Sequence, residues 1–183
     1  MIYTITFNPS LDYYVYLDQE LTEGNILKAK NTSIRAGGKG VNISIVLSQM
    51  GIQSKAILFL GGGIGELIVR EISAKQGIEV IPIRISEENR INVKIKNKTE
   101  TAINALGPCV SAGQQDALLA TLNELTKEDY VLISGSFCQG VTAPPSGSTI
   151  SARTPQRFAA NMSVSSLSPS MAVWARSAPE RAI

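Results

Sequence analysis

The chain has 183 residues, 44% apolar and 17% charged, enough for one domain with a buried core or at most two small ones. A net charge of +2 is too small to suggest nucleic acid as the main partner, and the absence of histidine excludes Ser-His and Cys-His nucleophile pairs and every His-containing zinc site. Cys109 and Cys138 fit neither a zinc spacing nor a disulfide framework and read as reduced thiols. Met1 to Ile5 lacks a basic segment followed by an apolar one, and Ala56 to Val69 is too short to span a bilayer and carries Glu66. The expectation is a soluble cytoplasmic protein with no membrane and no nucleic-acid partner.

In chain order, Ile2 to Phe7 is β-branched and aromatic and stops at Asn8-Pro9-Ser10, which predicts a strand and a turn. Tyr13 to Leu17 and Ile26 to Ile34 are further strand candidates. Gly37-Gly38-Lys39-Gly40 leads into a helix with Val41, Ile45, Val46 and Met50, closed by Gly51. Lys55 to Leu60 reads as a buried strand, Glu66 to Lys75 as a helix and Glu79 to Ile85 as a strand. The repeated order helix-Gly-Ile-strand, at Gly51-Ile52 and Gly77-Ile78, is the rhythm of βαβ units. It predicts an α/β fold with a mostly parallel sheet and flanking helices. Arg90 to Lys96 alternates Ile91, Val93 and Ile95 with polar residues and pairs with Glu100 to Ala105 across Asn97-Lys98. Gln114 to Leu125 is an amphipathic helix and Tyr130 to Ile133 a strand. The segments 13–18, 26–34 and 90–104 read as a small, half-exposed antiparallel sheet outside the parallel core.

The composition breaks after Val141. Residues 142–183 have no lysine and one acid, Glu180, and Ser, Ala and Pro supply 22 of the 42 positions. A disordered tail and a segment translated in another reading frame are the two readings. Both predict that the parallel sheet ends at the Tyr130 strand, with an apolar edge prone to aggregation.

Ligands of open α/β sheets bind beyond the carboxyl ends of the strands, so the strand-to-helix turns carry the candidates. In Gly37 to Asn42 the glycines let backbone amides approach a ligand, the helix start favours an anion, Lys39 adds charge and Asn42 offers a donor and an acceptor. A tight turn needing glycine explains the same letters. Asp12 reads as a surface carboxylate or as an acceptor for sugar hydroxyls, and Arg90 as a solvated cation or as a fork donor to a phosphate. Gly61-Gly62-Gly63-Ile64-Gly65 is not a P-loop. It also fails the dinucleotide fingerprint at Glu66, which argues against a nucleotide-binding redox protein and leaves a glycine-rich turn before a helix.

Asn8-Pro9-Ser10-Leu11-Asp12, Gly37 to Ser44 with Gly51 and Gly61, Arg90-Ile91-Asn92-Val93-Lys94 and Ser134-Gly135-Ser136 together resemble the ribokinase-like carbohydrate kinases of the phosphofructokinase B family. Within it they look most like the 1-phosphofructokinase and tagatose-6-phosphate kinase branches. The resemblance covers about residues 1–141. It implies a ribokinase-like α/β sheet with a β lid, truncated after about residue 141, and ATP-dependent phosphorylation of a sugar phosphate with Mg2+. It implies that Asp12 and Asn42 hold sugar hydroxyls, and that Gly37 and Gly38 shape the pocket. Lys39 and Arg90 would neutralise the substrate phosphate, and Ser136 would lie near the substrate. The lid would close over the sugar and mediate a homodimer. The family's C-terminal half carries an Asn-x-x-Glu segment and a Gly-Ala-Gly-Asp motif, the latter with the catalytic base, and neither has a counterpart after Val141, where Glu180 is the one acid. The expectation is therefore no catalytic residue, no metal ligand and no useful kinase activity in this chain, with a non-catalytic sugar-phosphate binder or dimeriser as the alternative.

Overall fold

A computed structural model of the chain describes residues 1–126, 128–140 and two strands at 162–167 and 171–176. The elements are β1 (Ile2–Thr6), β2 (Ser10–Tyr16), β3 (Asn31–Gly37), α1 (Lys39–Gln49), β4 (Ser54–Leu60), α2 (Gly62–Ser73), β5 (Ile78–Arg84), β6 (Arg90–Lys96), β7 (Glu100–Asn104), α3 (Ala112–Asn123), β8 (Tyr130–Ser134), β9 (Met162–Leu167) and β10 (Met171–Arg176). They build two sheets. The larger has the order β5-β4-β1-β8-β10-β9 and the smaller the order β3-β2-β6-β7.

β4 is apolar on both faces because both are covered. Ala56, Leu58 and Leu60 pack with Val41 of α1 and Ile68 and Ile72 of α2, while Ile57 and Phe59 pack with Leu118 and Leu122 of α3 on the other side. Helix ends follow local chemistry. Gly51 takes φ +74° just past α1, and Ser111 with Gln114 forms a capping box at the start of α3. The glycine run opens α2 at Gly62, four residues before the expected start at Glu66.

The parallel order expected from the βαβ rhythm is present across β5, β4, β1 and β8. The parallel strands end at the Tyr130 strand, β8, as expected, but its edge is not left bare. β10 pairs antiparallel with β8, and β9 with β10. Strand addition needs backbone donors and acceptors rather than a strict apolar period, and β8 offers an open edge. Met162-Ser163-Val164-Ser165 does alternate, a short period-two signal inside the biased composition.

The small sheet also departs from expectation. Its second strand runs from Asn31 to Gly37, not from 26 to 34, and Ile26 is 97% exposed. The central pair, β2 with β6, is parallel rather than antiparallel. The reason is topological: both strands leave the core from the carboxyl ends of parallel strands, β1 and β5, so they point the same way. The β6–β7 hairpin is antiparallel as expected, with Asn97 Oδ1 accepting the Thr99 amide in the turn.

Among the described residues no helix is long and apolar enough to cross a membrane.

Candidate sugar-phosphate site

The site is built where the small sheet meets the core. β1 lies between β4 and β8, and the chain leaves it for the lid while its neighbours belong to opposite halves of the sheet. That is the crevice position for a ligand in an open α/β sheet.

Asp12 sits inside β2, two residues into the lid, rather than in the turn after β1. Its Oδ1 accepts hydrogen bonds from Ser10 Oγ at 2.8 Å and from Asn92 Nδ2 at 2.9 Å. The register explains both contacts. Asp12 faces Asn92 across the parallel β2–β6 pair, and Ser10 lies one period back on the same face. A Cβ on Gly37 would fall 2.6 Å from Ser10 Oγ and 2.7 Å from Asp12 Cγ, so this glycine leaves room for the tethered carboxylate. Gly38 takes φ +120° as the α1 N-cap, and a Cβ there would meet Thr6 Cγ2 at 2.7 Å.

Lys39 and Asn42 lie in the first turn of α1, both exposed. Gly135, with φ +118°, brings its Cβ position to 3.8 Å from Lys39 Cβ, which places the exposed Ser136 beside that helix start. No side chain caps α1. Beneath its first turn, Thr6 Oγ1 is buried and without a protein partner among the described residues, as is Ser134 Oγ at the end of β8. Two groups of the expected residues therefore meet at Gly37-Gly38: the carboxylate of Asp12 on the lid side and Lys39, Asn42 and Ser136 on the core side.

Arg90 is half-buried and engaged by backbone. Its Nη1 donates to Ala105 O at 3.0 Å and its Nη2 to Asn8 O at 3.1 Å. It thus ties the entry to β2, its own entry to β6 and the exit from β7. Burial pushes its pKa below the usual arginine value, and the Asp12 charge opposes that shift. Nε is buried and without a protein partner among the described residues. Asn8 supports the same junction through Nδ2, which donates to Leu106 O at 2.8 Å.

The glycine run is a packing device. Asn89 Nδ2 donates to Phe59 O at 3.0 Å and its Oδ1 accepts the Gly61 amide at 2.9 Å, while the Glu88 carboxylate accepts the Ile64 amide at the start of α2. A Cβ at Gly61 would fall 2.1 Å from Glu87 O. The positive end of α2 is thus occupied by the chain's own carboxylate, in line with a turn rather than a nucleotide loop.

Ser10 and Asn92 are the residues that motif reading did not single out. The period-two spacing Ser10-x-Asp12 and Arg90-x-Asn92 was the available signal. The side-by-side placement of β2 and β6 was not visible in it.

An open, doubly covered α/β sheet with a β lid rising from its strand ends over a Gly-Gly helix start defines the ribokinase-like class of fold. Residues 6–176 match the pfkB family carbohydrate kinases, and the chain belongs to that family. It is 37% identical over 137 residues to the 1-phosphofructokinase of Bacillus subtilis, an alignment covering 75% of this chain and 45% of that protein. It is 40% identical over 137 residues to the 1-phosphofructokinase of Borreliella burgdorferi, covering 74% of this chain and 44% of that one. The structure of Escherichia coli phosphofructokinase-2 in complex with substrates and products superposes with a TM-score of 0.72 at 25% identity, over 77% of this chain and 46% of that one. The chain spans about half the length of the curated relatives it matches.

Proposed function

We propose that this chain carries the sugar-phosphate-binding part of an ATP-dependent kinase of the 1-phosphofructokinase type, which converts fructose 1-phosphate to fructose 1,6-bisphosphate in the cytoplasm. The observation that carries the reading is the Asp12 carboxylate, tethered through one oxygen and set beside the Gly37-Gly38 helix start. A carboxylate there accepts hydrogen bonds from sugar hydroxyls, and a helix start with Lys39 favours an anion. Asn42 and Ser136 supply neutral hydrogen-bonding groups around the same helix start. Beyond its two backbone bonds, the Arg90 guanidinium keeps its charge and further N–H donors for the phosphate end. Residues 1–141 form the binding unit. Tagatose 6-phosphate is the second substrate to test, because Arg90-Ile91-Asn92-Val93-Lys94 resembles both kinase branches.

Phosphoryl transfer also needs a base for the attacking hydroxyl and neutralisation of the transferring group. Gly-Ala-Gly-Asp is missing from the 183 residues, and the one Asn-x-x-Glu spacing, Asn97 to Glu100, is the β6–β7 turn of the lid. Among the described residues no three His, Cys, Asp or Glu side chains converge on one point. We therefore read the chain by itself as binding the sugar phosphate without turning it over.

The exposed apolar residues of the lid, Ile34, Ile91 and Ile103, support a homodimer through that sheet.

Titrating the purified chain with fructose 1-phosphate and tagatose 6-phosphate by calorimetry, alongside an ATP-consumption assay, tests the reading. Binding without turnover is expected. Heat for neither sugar phosphate overturns the binding reading, and sustained ATP-dependent product formation overturns the inactivity.

A further inference from the structure

We propose that Asn92 is a positioning residue for Asp12, setting which carboxylate oxygen faces the sugar. The inference rests on the sugar-phosphate reading given above.

Asn92 is 6% exposed, in the middle of a strand whose apolar neighbour Ile91 is 42% exposed. A buried asparagine beside an exposed isoleucine reverses the usual economy of a half-covered sheet, in which the apolar face turns inward. The inward face at this point of the lid is therefore the polar one. Burial of an amide costs free energy unless its groups are paired. Asn92 recovers half of that pairing in one place, through Nδ2 to Asp12 Oδ1. Its Oδ1 is buried and without a protein partner among the described residues. An ionised carboxylate accepts and does not donate, so only the NH2 end of the amide can face it.

Ser10 Oγ approaches the same Asp12 oxygen. Two donors on Oδ1 fix the carboxylate plane, and no contact of Oδ2 is seen among the described residues. Gly37 closes the back of the carboxylate, where a Cβ would strike Cγ. Asp12 is thereby held at one rotamer with one oxygen occupied and the other turned to a ligand hydroxyl. The charged groups flanking the pair in the sheet are Arg35, the register partner of Asp12 on β3, and Arg90 and Lys94, two residues to either side of Asn92 on β6; Lys94 Nζ donates to Asn104 Oδ1. None of the three is seen in an ion pair with Asp12 among the described residues, so the neutral tether from Asn92 and Ser10 does the orienting.

The test is calorimetric affinity of the full chain for fructose 1-phosphate and tagatose 6-phosphate, in the wild type, Asn92→Ala, Asp12→Ala and the double variant. Loss of a hydrogen bond to a charged group predicts affinity weaker by about tenfold or more in Asn92→Ala. If Asn92 acts through Asp12, the double variant binds no more weakly than Asp12→Ala alone. Asn92→Asp adds a readout that a purely structural residue would not move. Two carboxylates in contact cannot both ionise freely, so binding falls at pH 8 and recovers toward pH 5. Thermal melts without ligand identify variants that fail to fold, and Asn92→Ser then replaces the alanine variant with the same expected loss. Wild-type binding with unchanged affinity in Asn92→Ala, or additive losses in the double variant, overturns the inference alone. A folded wild-type chain that binds neither ligand overturns the reading of the site and this inference with it.

Discussion

Gly37 shows how one missing carbon makes a site. Its Cβ position overlaps both Ser10 Oγ and the Asp12 carboxyl group, so Gly37→Ala must push one of them aside. The expected outcome is sugar-phosphate affinity weaker by about tenfold or more, with a small change in melting temperature, read by calorimetry and a thermal melt. The two cysteines differ in a comparable way. Cys109 is exposed, whereas Cys138 is 3% exposed and donates to Phe7 O. Burial pushes the Cys138 thiol up to about 11, opposed by the Arg90 charge. A disulfide reagent at pH 8 should therefore modify one thiol quickly in the folded chain and the second only after denaturation. Gly37 and Cys138 stand plainly in the sequence, but their roles depend on neighbours 25 or more positions away, which no local pattern encodes.

Among the elements, the lid is where local reading and structure part. Alternation along residues 90–96 was visible and β6 occupies those residues, yet which side faced inward was not. The period of a strand names two faces and leaves the choice between them to packing. The same limit hid the parallel pairing of β2 with β6, since direction follows from where each strand leaves the core. The segment 86–90 then fastens the lid to α2 and β4. Asn89, 3% exposed, bridges Phe59 O and Gly61 N. Asn89→Ala leaves a buried carbonyl and a buried amide unpaired, and should cost about 2–3 kcal/mol in a denaturant titration. Hydrogen exchange in β6 should rise as well, because its anchor is lost.

The assembled fold joins sequence ends that composition reads separately. The N-terminal ammonium contacts Asp129 at 2.9 Å, so β1 is pinned to the start of β8. The hydrogen bond from that ammonium, and then the Thr126 amide, hold the Asp129 carboxyl at about 2, below its ordinary 3.8. A lowered folded-state pKa means that this contribution to stability is present above pH 3.8 and is lost as pH falls toward 2. Asp129→Asn should flatten the stability profile in that window, as measured by melts from pH 5 to pH 2. At the other margin, β10 covers the edge of β8 that the compositional break suggested would stay bare. A chain ending at Gly140 should therefore associate more than the full chain, as read by light scattering.

The amino-acid sequence by itself determined the βαβ rhythm, the helix stops at glycine and the family motifs. Each of these is carried by residues near one another in the chain, where steric preference and periodicity act. Tertiary structure decided that Asp12 belongs to the lid, that Ser10 and Asn92 share its oxygen, that Arg90 ties three chain crossings and that the sheet continues past β8. Those are contacts between segments up to 82 positions apart, and they exist only once the parallel strands have fixed where each crossing emerges.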